Sequence, residues 1–180
     1  DLKSPLRLIQ SLAVDQHGHL LAGDSATRDV YRFDKEKRPV PLTRGQIGIP
    51  SGIAVGRDGT IIVSDLETQR LWQLSKDGGA PEEIAAIEAP RAIAFDFDNR
   101  LWVVSHGRNQ VLRREIDGSW EVVVPGRPLE FPAGIAIDKQ QNAFVTDAYG
   151  GTIWKIPASK LAVKLAVGEG LLHPAGAAWL

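Results

Sequence analysis

The chain contains neither cysteine nor methionine. Without cysteine there are no disulfides, no thiol nucleophile and no Cys-ligated zinc, although any redox compartment tolerates such a sequence. The lack of Met, an initiator included, predicts a processed or trimmed chain and leaves room for a removed leader. Charge of one sign is also scarce: 21 Lys and Arg stand against 22 Asp and Glu. The broad attraction that nonspecific nucleic-acid binders use is therefore missing, and nucleic acid is a disfavoured partner. No apolar run reaches the ~18 residues of a membrane helix, and no basic-then-apolar leader opens the residues given. What remains is a hydrophobic content of 43% over 180 residues, ordinary for a globular chain able to bury a core.

What is present is a repeat. The stretch PSGIAVGRDGTIIVSD, from Pro50 to Asp65, returns in outline three more times, with Ala13, Ala54, Ala94 and Ala136 at its centre, spaced 41, 40 and 42 residues apart. Eleven residues after each alanine stand Asp24, Asp65, Ser105 and Asp147. Proline stands four before it at Pro50, Pro90 and Pro132, and Pro174 precedes Ala178 in the same way. A period of this kind sets the architecture before any residue is given a role.

Within each copy the apolar spacing is that of short strands. Strand a is a continuous apolar run (LAV, IAV, IAF, IAI), which predicts burial on both faces. Strand b follows a tight turn at His17-Gly18, Asp58-Gly59, Asp98-Asn99 or Gln141-Asn142, where a hairpin needs positive φ. Strand c (DVYRF, RLWQL, QVLRR, TIWKI) alternates, and strand d is the least regular, as an edge strand is. Trp72, Trp102, Trp154 and Trp179 read as packing side chains. The fold expected is all-β: a β-propeller of four-stranded antiparallel blades, with blades at about 10–50, 51–90, 91–132 and 133–174. Residues 1–9 resemble a closing strand d and 175–180 a lone strand a, which together make only a partial blade.

The pattern P-x-G-[IL]-A-[VIF]-x-x-x-[GN]-x-[LIF]-x-V-x-D resembles the NHL repeat across roughly residues 10–180. The resemblance implies a six-bladed ring, which at this period needs roughly 240 to 250 residues. The expectation is therefore a segment of a larger ring, or else an open arc whose edges self-associate. Resemblance to bacterial NHL proteins further implies extracellular or periplasmic placement.

Propeller function is expected on the face that carries the d-to-a and b-to-c connections, since loops on a rigid scaffold hold binding residues. Asp24, Asp65 and Asp147 read as caps that tie down their own b-to-c loops, because a residue repeated in every blade serves the blade. Chemistry is expected where the copies differ. Ser105 replaces the Asp, and His106, Arg108 and Asn109 follow it; with Arg91 from the neighbouring turn they suit an anion, and Tyr149 adds a stacking surface. The alternative for each is an exposed polar loop. Six-bladed calcium-dependent lactonases, which the chain resembles, carry Glu, Asn or Asp at the P-x-G position, and amidating lyases of the NHL group use His there around zinc. Here Ser51, Arg91, Ala133 and Ala175 stand in those places, so no metal site is expected. His17 and His19 read as a turn and His173 as a lone histidine.

The functional expectation is thus a non-catalytic scaffold that binds a protein or small ligand on Arg91, His106, Arg108, Asn109 and Tyr149, without cofactor. A calcium- or zinc-dependent lactonase or lyase is the alternative, with its ligands outside these four blades. An RNA-binding NHL domain, using Arg91, Arg108, Arg127 and Tyr149, is a second.

Overall fold

The computed structural model describes residues 5–125, 128–158, 163–167 and 173–178. Four antiparallel sheets of four strands follow one another along the chain, each running up and down in sequence order, and no helix occurs among the described residues. They are β1–β4 (Ile9–Val14, Leu20–Asp24, Asp29–Phe33, Pro39–Pro41), β5–β8 (Pro50–Val55, Ile61–Asp65, Arg70–Leu74, Glu82–Ala86), β9–β12 (Pro90–Phe95, Leu101–Ser105, Gln110–Arg114, Trp120–Val124) and β13–β16 (Pro132–Ile137, Ala143–Asp147, Thr152–Ile156, Val163–Val167). This is the blade architecture of a β-propeller. The chain divides into two compact units, Asp1–Pro90 and Arg91–Leu180, with two sheets in each.

In unit 1 the two sheets stack face to face. Ala13, Leu21, Val30, Leu42 and Ile47 from the first meet Ile53, Val55, Ile61, Val63, Trp72 and Leu74 from the second. In unit 2, Trp102, Val104 and Val111 meet Ile135, Ile137, Val145, Trp154 and Ile156 in the same way. Burying one such Val or Leu contributes about 1.5–3 kcal/mol, and each unit contains many. Continuous apolarity of strand a follows from its position: in β5, Ile53 and Ala54 point to opposite faces and both are buried. β1 departs from the expectation, since Leu12 and Val14 are 59% and 60% exposed. No sheet of unit 1 covers that face, because its core lies on the Ala13 side.

Each a-to-b turn is built alike. Asp15 donates its N–H to His19 O, Gly18 donates to Asp15 O, and Gly18 adopts φ 81°. Gly59, Asn99 and Gln141 take the same left-handed role, so in the fourth copy Gln rather than its Asn neighbour turns the chain. Asp15, Asp96 and Asp138 reinforce these turns by accepting two backbone N–H bonds each, at 2.8–3.0 Å.

Proline and the P-x-G residues are not a turn but the opening of strand a. Pro50 pairs Asp65 and Gly52 pairs Ser64, so Ser51 is a bulge, and Ala133 is one in β13. Among the described residues, 5–8 and 173–178 form no strand. Leu8 instead leads directly into β1, and the 175–177 backbone runs beside Gly134, 3.0 Å from where a Cβ would sit. Trp179 and Arg127 lie outside the described residues.

Candidate functional site

The end of each sheet that carries the b-to-c loop is organised by the residue closing strand b. In β2, Asp24 Oδ2 accepts the N–H groups of Arg7 and Leu8, and its Oδ1 accepts those of Thr27 and its hydroxyl. In β6, Asp65 accepts from Gly48, Ile49, Glu67 and Thr68, and from the Trp72 indole at 3.3 Å. In β14, Asp147 accepts from Glu130, Phe131 and Gly150. Each carboxylate therefore holds its own loop and also the incoming d-to-a connection. A Cβ at Gly48 would stand 2.8 Å from Asp65 Oδ1 and 2.7 Å from Glu67 Cβ, so only glycine lets the chain pass that close. Burial pushes the carboxyls of Asp24 and Asp65 up, and these donors more than offset it, leaving both below the ordinary value.

β10 closes on Ser105 instead, and the loops around it carry different chemistry. Phe131, the residue before Pro132, is the hub of a cluster. The His106 ring lies 4.0 Å from it between centroids, the Tyr149 ring 4.4 Å, and the Arg91 guanidinium 4.6 Å over its face. His173 meets Tyr149 edge-on at 6.1 Å. These are contact geometries for aromatic pairs and for a cation on a π face. Tyr149 is 65% exposed, while Arg91, His106 and Phe131 are half-buried. Burial first, and the Arg91 charge second, lower the His106 pKa from its ordinary value, so the imidazole is neutral at pH 7.

Of the residues singled out in the sequence, Arg91, His106 and Tyr149 are brought together through Phe131. Asn109 closes the turn, donating its N–H to His106 O at 3.1 Å with φ 51°. Arg108 is exposed on that turn. Phe131 was missed. The position before the proline holds Ile49, Ala89, Phe131 and His173 in successive copies, and that divergence was the available signal.

Three polar atoms here are buried without a hydrogen-bond partner: His106 Nδ1, Asn109 Oδ1 and Trp154 Nε1. Trp154 and Trp72 share a register, opposite Val145 and Val63. The Trp72 indole bonds Asp65 and Thr68, but Gly150 stands where Thr68 does.

Among the described residues no three His, Asp or Glu side chains converge as metal ligands. At the a-to-b turn, His19 Nδ1 bonds Asp15 at 2.9 Å. No described helix is long and apolar enough to cross a membrane.

Residues 48–74, which hold Asp65 and its donors, match the NHL repeat family. This stretch is an NHL repeat. Compared by sequence with curated proteins, the chain has no match. Compared by structure, its NHL-bearing fold is similar to virginiamycin B lyase from Staphylococcus aureus, at 19% identity and TM-score 0.82, over 97% of this chain and 61% of that one. It is similar to a chain in the crystal structure of a nidogen/laminin complex, at 21% identity and TM-score 0.87, over 98% and 70%. An auxiliary nutrient binding protein from Bacteroides ovatus aligns at 10% identity and TM-score 0.77, over 97% and 54%. The chain thus has a β-propeller fold and spans about three fifths of the lyase's length.

Proposed function

We propose that the chain is a non-catalytic propeller scaffold whose b-to-c loops in unit 2 bind a protein surface or small ligand. The observation that carries this reading is the assembly of Arg91, His106, Tyr149 and Phe131 into one partly exposed cluster beside the one loop that has Ser105 where the other three have a carboxylate. Aromatic rings beside Arg are the side chains that dominate binding surfaces, because they offer large contact area at small entropic cost. The fold itself does not choose between functions, since a lyase, a nutrient binding protein and a chain of a nidogen/laminin complex share it. The cluster is the support for binding, and its chemistry is that of stacking and anion recognition.

The test is a ligand screen of the isotope-labelled chain by amide NMR. Hits are expected to shift the resonances of His106, Phe131 and Tyr149, and Y149A is expected to weaken them several-fold. A screen whose hits avoid these residues overturns the reading. So does lactone hydrolysis that requires calcium and stops on chelation.

A further inference from the structure

From the same cluster we infer that the ligand is a small aromatic carboxylate, its ring stacked on Tyr149 and its carboxylate held by Arg91. This rests on the reading of the loops as a binding site, and it adds the chemical class.

Three observations narrow the class. The phenol of Tyr149 is 65% exposed and edged by the exposed His173 ring at 6.1 Å, so it offers one aromatic face with one aromatic wall. A planar ring satisfies both contacts, and an aliphatic chain satisfies neither. Next, the Arg91 guanidinium and the Tyr149 ring share one neighbour, at 4.6 Å and 4.4 Å from the Phe131 centroid, so a cation and an exposed aromatic ring belong to the same cluster. A guanidinium recognises a carboxylate through paired N–H bonds. Arg91 is the cation packed on Phe131, and one carboxylate is the group that matches its fork. Glu130, exposed next to Phe131, opposes any higher charge. Finally, His106 Nδ1 is buried with no hydrogen-bond partner in the same loop, and with its proton on that nitrogen the ring has an N–H to offer a carboxylate oxygen. Buried polar atoms of that kind are rare in folded proteins, and a bound polar group is what relieves them.

The probe is 3-phenylpropionate, titrated into the labelled chain beside three matched compounds: 3-phenylpropionamide, hexanoate and 3-phenylpropylamine. The acid is expected to shift Phe131, Tyr149 and His106. The amide and hexanoate should each bind about tenfold more weakly or worse, since each lacks the charge or the ring. R91K, which keeps the charge and loses the fork, and Y149A, at an exposed position where folding is not at stake, should each lower affinity about fivefold. Thermal unfolding of Y149A should be unchanged. Equal or tighter binding of the amide, hexanoate or the amine overturns the carboxylate assignment while leaving the binding loops in place. No shift with any of the four also overturns it, and the loops themselves fall only if the wider screen leaves them untouched as well.

Discussion

Units 1 and 2 are built on one backbone plan and differ at one loop end: both loops of unit 1 and the Asp147 loop of unit 2 close on a carboxylate, and the remaining loop of unit 2 has Ser105 in that place. In unit 1 the side chains satisfy one another. Ser11 Oγ donates to Pro50 O and Ser51 Oγ to Pro90 O; Arg28 pairs Glu67 at 2.6 Å; Asp65 receives donors from three segments. In unit 2 the places of Ser51 and Glu67 are taken by Arg91 and Tyr149 and those of Leu66 and Ile49 by His106 and Phe131, while His106 Nδ1, Asn109 Oδ1 and Trp154 Nε1 are buried without a hydrogen-bond partner. The contrast is informative because the strands are so alike. A scaffold that repeats can vary only where strand pairing does not dictate the residue, and unit 2 uses that freedom to gather aromatic and cationic side chains around Phe131.

The largest way to break the comparison is to remove the carboxylate at the end of strand b. D65A leaves the N–H groups of Gly48, Ile49, Glu67 and Thr68 and the Trp72 indole without their acceptor, and is expected to cost about 3–5 kcal/mol in urea unfolding. S105A, at the same register in unit 2, removes a neutral hydroxyl and should cost about 1 kcal/mol. Equal losses would mean that Ser105 does the work of the Asp. Because the Asp65 pKa is lowered in the fold, its contribution is fully present above about 3.8 and is lost as pH falls further.

How much of this was legible in the sequence follows the same division. Strand pairing was legible, since a 40-residue period fixes every strand, and Asp24, Asp65 and Asp147 stand out as repeated acids. Their reach across to the d-to-a connection was not, because the partners are backbone N–H groups at Gly48, Ile49, Glu130 and Phe131, which carry no side-chain signature. The turn expected around Arg91 is instead the opening of strand a, where the proline ahead of the bulge has no ladder hydrogen bond to donate. Asp29 is a further acid the period could not show. It occurs in one copy only, and it accepts from Thr43 N, Thr43 Oγ1 and Gly45 N. His106 and Tyr149 were visible as departures from the repeat. Phe131, apolar and beside a proline, looked like scaffold.

A second prediction sharpens the comparison through pH. His106 has no counterpart in unit 1, where Leu66 follows Asp65. Its pKa is lower in the fold than the ordinary 6.5, by burial and then by the Arg91 charge, so the unfolded chain binds the proton more readily. Its contribution is therefore fully present above about 6.5 and is lost as pH falls from there through the folded value. Between pH 7.5 and 5, H106Q should lose less stability than the parent chain, and L66Q should leave the pH profile unchanged. An H106Q profile that overlays the parent's would show that the ring is as well solvated as in the unfolded chain.

The smallest effect belongs to the Arg28–Glu67 pair, and its smallness is the point. The pair is close, at 2.6 Å, but its side chains are 50% and 45% exposed, so water screens most of the attraction and ordering two long side chains offsets more. E67Q should cost only about 0.2–1 kcal/mol, and the difference should vanish in roughly 1 M salt, where the screening length is about 3 Å. If E67Q costs far more and salt does not matter, the pair is holding the loops of unit 1 in place and its closure is electrostatic. If the cost is small, closure rests on Asp24 and Asp65, with the ion pair only covering the loop ends. What sets the Ser105 loop of unit 2 apart is then the replacement of a buried carboxylate, and the absence of a surface salt bridge is not needed to explain it.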